Sequence, residues 1–69
     1  MEPEITVNGE RRALGARTLG ELLREIGRDP ARPGIAVAVN GRVIVRRDWE
    51  GHELRPGDAV EIVGAVQGG

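Results

Sequence analysis

The period of the apolar positions changes along this chain, and each change marks an element. Ile5-Thr6-Val7 alternates as a half-buried strand does, and Asn8-Gly9 behind it is a strong hairpin signal. Loop length then sets the register of the returning strand. A two-residue loop puts Arg12 opposite Ile5 on the buried face, whereas a three-residue loop with a bulge puts Ala13 there. Burying an unpaired Arg is costly, so the longer loop is expected. From Thr18 the period lengthens. Thr18-Leu19-Gly20-Glu21 fits a capping box, in which the Thr hydroxyl accepts from the backbone three residues on and the Glu reaches back. Leu19, Leu22, Leu23 and Ile26 follow at i, i+3, i+4 and i+7, one stripe of a helix. Gly27 suits the left-handed residue that closes a helix, and Pro30 prevents continuation. A helix of about two to three turns is too short to persist alone in water, so it must lie on a sheet.

Ile35-Ala36-Val37-Ala38-Val39 is apolar on both faces, as an interior strand would be. A second pair, Asn40-Gly41, leads into Val43-Ile44-Val45, and a three-residue loop is again expected, with Val39 opposite Val43 and Val37 opposite Val45. Arg46-Arg47-Asp48-Trp49 reads as an irregular crossing and Pro56-Gly57 as a type II turn. The last strand, Ala59 to Val63, puts Val60 and Ile62 on one face and Ala59, Glu61 and Val63 on the other. If the helix covers Val37, Val39 and Ile62, then Ala36, Ala38 and Val63 form a flat apolar patch opposite. That patch is either filler on an open sheet or a docking surface beside the end of the chain.

Composition narrows what such a domain can do. Sixty-nine residues make one domain near the lower limit of autonomous folding. Eight Val, five Ile, five Leu and a single Trp build a thin aliphatic core and no enclosed catalytic cavity. The absence of Cys excludes disulfides, thiol nucleophiles and thiolate metal sites. One His and eleven scattered carboxylates give no metal-ligand spacing. A net charge of −1 argues against a nucleic-acid partner. All ten basic residues are Arg, so no side-chain amine is available for isopeptide or Schiff-base chemistry. The acidic start, Met1-Glu2-Pro3-Glu4, is unlike a signal peptide, and no apolar run approaches membrane-spanning length, so a cytoplasmic location without membrane contact is expected. His52, in a polar loop with nothing to orient it as a base, reads as a loop residue. Trp49 reads as a lid over one edge of the core, and Arg46-Arg47 as a solvated strand end.

The end of the chain carries the strongest functional signal. Gly64-Ala65-Val66-Gln67-Gly68-Gly69 follows the final strand, and two terminal Gly residues contribute nothing to packing or pairing. The expected organisation is a folded domain over residues 1–64 and a flexible tail over 65–69. Hairpin, helix, strand pair, crossing, last strand and tail, with Leu54-x-x-Gly57-Asp58-x-Val60-Glu61-Ile62 ahead of Gly68-Gly69, resemble the β-grasp proteins related to ubiquitin. Within them the chain is most similar to the ThiS family, the sulfur carriers of thiamine thiazole biosynthesis. Val7-Asn8-Gly9, Thr18-Leu19-x-Glu21-Leu22-Leu23, Val37-Ala38-Val39-Asn40, Arg47-x-Trp49 and the tail carry that resemblance. Gln67 departs from the basic residue that ubiquitin-type proteins place before the Gly pair.

The resemblance implies an α+β domain, a mixed sheet of four to five strands with one helix on one face. It implies a protein substrate, not an enzyme. In that family an activating enzyme adenylates the C-terminal Gly using ATP and magnesium, a sulfur donor enzyme converts it to a thiocarboxylate, and thiazole synthase takes the sulfur. Gly69, with Gly68 beside it, would carry the chemistry. Gln67, Val66, Val63, Ala36 and Ala38 would dock partners. The domain would bind no metal or cofactor itself and would be monomeric when free. Sulfur carriers for molybdopterin or transfer-RNA thiolation, and ubiquitin-like covalent modifiers, need the same tail and stay open at this point.

Overall fold

A computed structural model describes residues 3–64. Its elements run β1 (Glu4–Val7), β2 (Glu10–Ala13), α1 (Leu19–Glu25), β3 (Ile35–Val39), β4 (Arg42–Ile44), a 3₁₀ helix (Arg46–Gly51) and β5 (Ala59–Gly64). The sheet order is β2-β1-β5-β3-β4. β1 and β5 pair in parallel at its centre, and the remaining pairs are antiparallel. First and last strands thus meet in the middle, and α1 crosses one face.

The helix forms for the reasons its sequence predicts. Thr18 Oγ1 accepts from the Glu21 amide at 3.2 Å, and the Glu21 carboxylate accepts from the Arg17 amide at 2.9 Å, one residue ahead of the cap. At the other end Gly27 takes φ +85°. There the Arg28 amide donates to the Leu23 carbonyl at 2.7 Å and the Gly27 amide to that of Arg24 at 3.1 Å. These paired bonds satisfy carbonyls that a helix end otherwise leaves open. Leu19, Leu22 and Leu23 are buried against Ile5, Val37, Val39, Val60 and Ile62. With Ala16, Trp49 and Leu54 they form one continuous core.

Both hairpin registers differ from expectation. In the first, Ile5 pairs with Arg12 and Val7 with Glu10, leaving a two-residue loop. Asn8 at φ 51° and Gly9 at φ 86° supply the two left-handed residues that a type I′ turn requires. Arg12 therefore does share a face with Ile5. It escapes the burial penalty because β2 is the sheet edge: its guanidinium extends past the core and pairs with Glu25 at 3.4 Å. The second hairpin repeats the turn, with Asn40 at φ 53° and Gly41 at φ 82°. Val39 pairs with Arg42, Ala38 with Val43, and Val37 with Ile44. Ile44, not Val43 or Val45, consequently faces the helix.

The crossing from β4 to β5 is ordered as a 3₁₀ helix, and Trp49 is a core residue more than a lid, only 2% exposed. Its indole N–H donates to the Ile44 carbonyl at 2.8 Å, which meets the polar requirement of a buried Trp. Arg46 is also more than a solvated strand end. Its guanidinium lies 5.0 Å from the Trp49 ring centre and donates to the carbonyls of Pro30 and Arg32, tying the loop after α1 to this crossing. Among the described residues no helix is long and apolar enough to cross a membrane.

Candidate functional site: the open sheet face and the end of the last strand

β5 delivers the chain to the tail. It pairs with β3 as far as Ile35 opposite Gly64, but its register with β1 covers only Thr6 opposite Ala59 and Val7 opposite Val60. The Asn8 side chain takes over from there. Its oxygen accepts from the Ile62 amide at 2.8 Å and its amide donates to the Ile62 carbonyl at 3.2 Å, so a turn residue imitates one more strand residue. Asn40 does related work at the start of β5, accepting from the Ala59 amide at 2.9 Å and donating to Asp58 at 3.0 Å. Each Asn-Gly pair thus makes a turn and also anchors the central strand.

Of the residues proposed for docking, Ala36, Ala38 and Val63 lie on the sheet face away from α1. Ala36 pairs directly with Val63, and Ala38 with Glu61. The two-residue second hairpin adds Val43, opposite Ala38, and Val45 continues that side of the chain. Val43, Val45 and Val63 are 70%, 50% and 64% exposed, the large apolar side chains most open to solvent among the described residues. The face therefore has a shallow floor, Ala36 and Ala38, between a Val43/Val45 ridge on one side and Val63 with the charged Glu61 on the other. Its far half is more polar: Arg11 stands opposite Thr6, and Glu4 opposite Ala13. Val43 and Val45 escaped the sequence reading because a one-residue difference in register reverses every side chain of a strand. The available signal was the preference of Asn-Gly for two-residue loops.

Gly69, Gly68, Gln67 and Val66 lie outside the described residues. At the root of the tail, a Cβ placed on Gly64 would stand 3.9 Å from an Arg28 guanidinium nitrogen, so Arg28 flanks the chain where it leaves the sheet. Among the described residues no three His, Asp or Glu side chains stand close enough to hold a metal ion. His52 lies beside Glu53, Arg42, Arg55 and Asp58 in an open surface groove, and its backbone carbonyl accepts from Leu19 at 2.9 Å.

Five strands clasping a single helix, with the first and last strands parallel at the centre, make this a ubiquitin-like β-grasp domain. The chain belongs to the ThiS family, whose model matches residues 5–69. It is 38% identical over 65 residues to the sulfur carrier protein ThiS of Thermus thermophilus, covering 94% of this chain and 98% of that one. The crystal structure of the thiamine biosynthesis protein ThiS from Geobacter metallireducens superposes with a TM-score of 0.77 at 32% identity, over 96% of this chain and 99% of the other.

Proposed function

We propose that this protein is the sulfur carrier for thiamine thiazole formation, a substrate handed between partner enzymes and not itself a catalyst. The observation that supports it most strongly is the family match, which spans residues 5–69 and so includes the Gly pair. In this reading the Gly69 carboxylate is adenylated by an activating enzyme that uses ATP and magnesium. A free carboxylate is a poor acyl donor because oxide is a poor leaving group. In the acyl-adenylate, AMP becomes the leaving group, and sulfur from a donor enzyme displaces it to give a thiocarboxylate. Thiazole synthase then takes the sulfur. Two glycines leave the acyl carbon unhindered and let the backbone follow a narrow slot. A chain without Cys has no thiol on which to carry sulfur, which is consistent with a terminal carbonyl as the carrier.

The open face supports the same reading. A tail of five residues offers a partner little apolar area, and the patch of Ala36, Ala38, Val43, Val45 and Val63 lies next to the end of β5. Contiguous exposed apolar surface of this kind marks interaction sites. Given the activating enzyme, ATP, magnesium and a sulfur donor, the intact protein should gain the mass difference of one sulfur for one oxygen. Without the donor it should still support exchange between ATP and pyrophosphate. Deleting Gly69 should abolish both, and Gly68→Val should be nearly as damaging, since a β-branched residue stiffens the backbone beside the acyl carbon. Full sulfur transfer by the Gly69 deletion would end this reading. Offering the thiocarboxylate to thiazole synthase, molybdopterin synthase and a transfer-RNA thiolase separates the pathways, with efficient turnover expected for the first alone.

A further inference from the structure

An activated C-terminus is an acyl donor, and any nucleophile on the carrier itself is tethered to it by the chain. We infer that the all-arginine surface, with Arg28 at the root of the tail, protects this protein from acylating itself. The inference rests on the adenylation of Gly69 proposed above. Every one of the ten basic side chains is Arg. A guanidinium stays protonated and has no lone pair with which to attack a carbonyl, whereas a Lys ammonium at pH 7 exchanges with about one part in a few thousand of free amine.

Several of these arginines have structural work that suits their shape. Arg46 donates to two backbone carbonyls and stacks on Trp49, and Arg12 and Arg24 pair with Glu25 and Glu50. Arg28 is different. Among the described residues its guanidinium makes no hydrogen bond or ion pair, so no contact there distinguishes Arg from Lys. Its position is what matters: it flanks Gly64, five residues before the acyl carbon. Five residues span at most about 17 Å when extended, and position 28 lies within that radius of Gly64. Over so short a tether an amine would meet the acyl group at an effective concentration on the order of millimolar. Its nitrogen would attack the Gly69 acyl carbon and form a C–N bond. The C–O bond to AMP would break, AMP would leave with the electron pair, and the amine proton would pass to water. The product is a dead-end amide that carries no sulfur.

The test compares the parent with Arg28→Lys and Arg42→Lys. Position 42 pairs with Val39, at the opposite end of the sheet from Gly64, which pairs with Ile35. Each protein is incubated with the activating enzyme, ATP and magnesium, without sulfur donor, and analysed by intact mass and peptide mapping. Arg28→Lys is expected to lose the mass of one water, with the amide mapped between position 28 and Gly69. Arg42→Lys should form roughly tenfold less, in line with its distance from the tether. Raising the pH from 7 to 8 should increase the amide about tenfold, following the free-amine fraction. The parent should form no side-chain amide at either pH. Parent-like ATP–pyrophosphate exchange by Arg28→Lys, with no amide to its own chain or a second copy, would overturn the inference. A parent without exchange would overturn the adenylation reading itself, and this inference with it.

Discussion

The two faces of this sheet are made from the same few aliphatic residues and meet opposite fates. β3 shows the contrast within five residues: Val37 and Val39 are buried under the helix, while Ala36 and Ala38 look the other way. On the helix side the apolar side chains pack into one core, and the gain comes from apolar area removed from water. On the open side Ala36 and Ala38 lie between the exposed Val43, Val45 and Val63, with Glu61 opposite Ala38, and among the described residues no element covers them. Residue type alone does not separate a core from a contact surface. The position of the single helix does, and the same alternation that completes one face equips the other.

The contrast makes graded predictions, because substitutions on the helix side should cost stability and substitutions on the open side should not. Leu23→Ala should destabilise the domain by about 2–5 kcal/mol, as a truncation of a fully buried side chain. That is a large share of the total for a domain this small, about 5 kcal/mol or somewhat more. An unchanged urea midpoint would mean that α1 does not pack on the sheet. Trp49→Phe should cost about 1–3 kcal/mol by leaving the Ile44 carbonyl without its donor, and thermal unfolding would register it. Asn8→Ala removes two hydrogen bonds to Ile62 at about 0.5–1.5 kcal/mol each. Its distinctive consequence is local: amide exchange should accelerate at Ile62 and leave Val37 protected. Equal acceleration at both would show that Asn8 supports the domain globally and not the end of β5.

Val63→Asp should have the smallest effect on folding, within about 0.5 kcal/mol of the parent, because a charge at an exposed position keeps its hydration. Affinity for the activating enzyme should nonetheless fall about tenfold, equivalent to about 1.4 kcal/mol. Titration of the two proteins against that enzyme would show it. Normal binding would remove Val63 from the docking face, and unfolding would show that the two faces are less independent than their packing implies.

Much of this molecule follows from local sequence. Thr18, Glu21 and Gly27 specify where α1 begins and ends because their hydrogen bonds reach only a few residues along the chain. The stripe of Leu19, Leu22 and Leu23 identifies the buried face for the same reason, and Pro56-Gly57 turns the chain on its own, with Gly57 at φ +88°. Alternation in β3 and β5 was also sufficient to place Ala36, Ala38 and Val63 away from the helix. The terminal Gly pair is equally legible, since it is a chemical feature of the chain and not of its folding.

Register at the first hairpin was decided by the tertiary structure. Both Asn-Gly pairs marked their turns correctly, yet the penalty assigned to Arg12 assumed a position enclosed on all sides. At the sheet edge, with Glu25 supplied by a helix thirteen residues on, that penalty largely disappears. In the second hairpin the two-residue Asn40-Gly41 turn already sets Ile44 inward and leaves Val43 and Val45 exposed; what only assembly adds is Trp49, which folds back to bond the Ile44 carbonyl from a segment beyond the strand. The second roles of Asn8 and Asn40, anchoring β5 across 54 and 19 residues of chain, have no local signature either. Short-range hydrogen bonding and periodicity determine elements. Which side chain meets which across the sheet depends on free energies of burial and pairing that exist only once distant segments have come together.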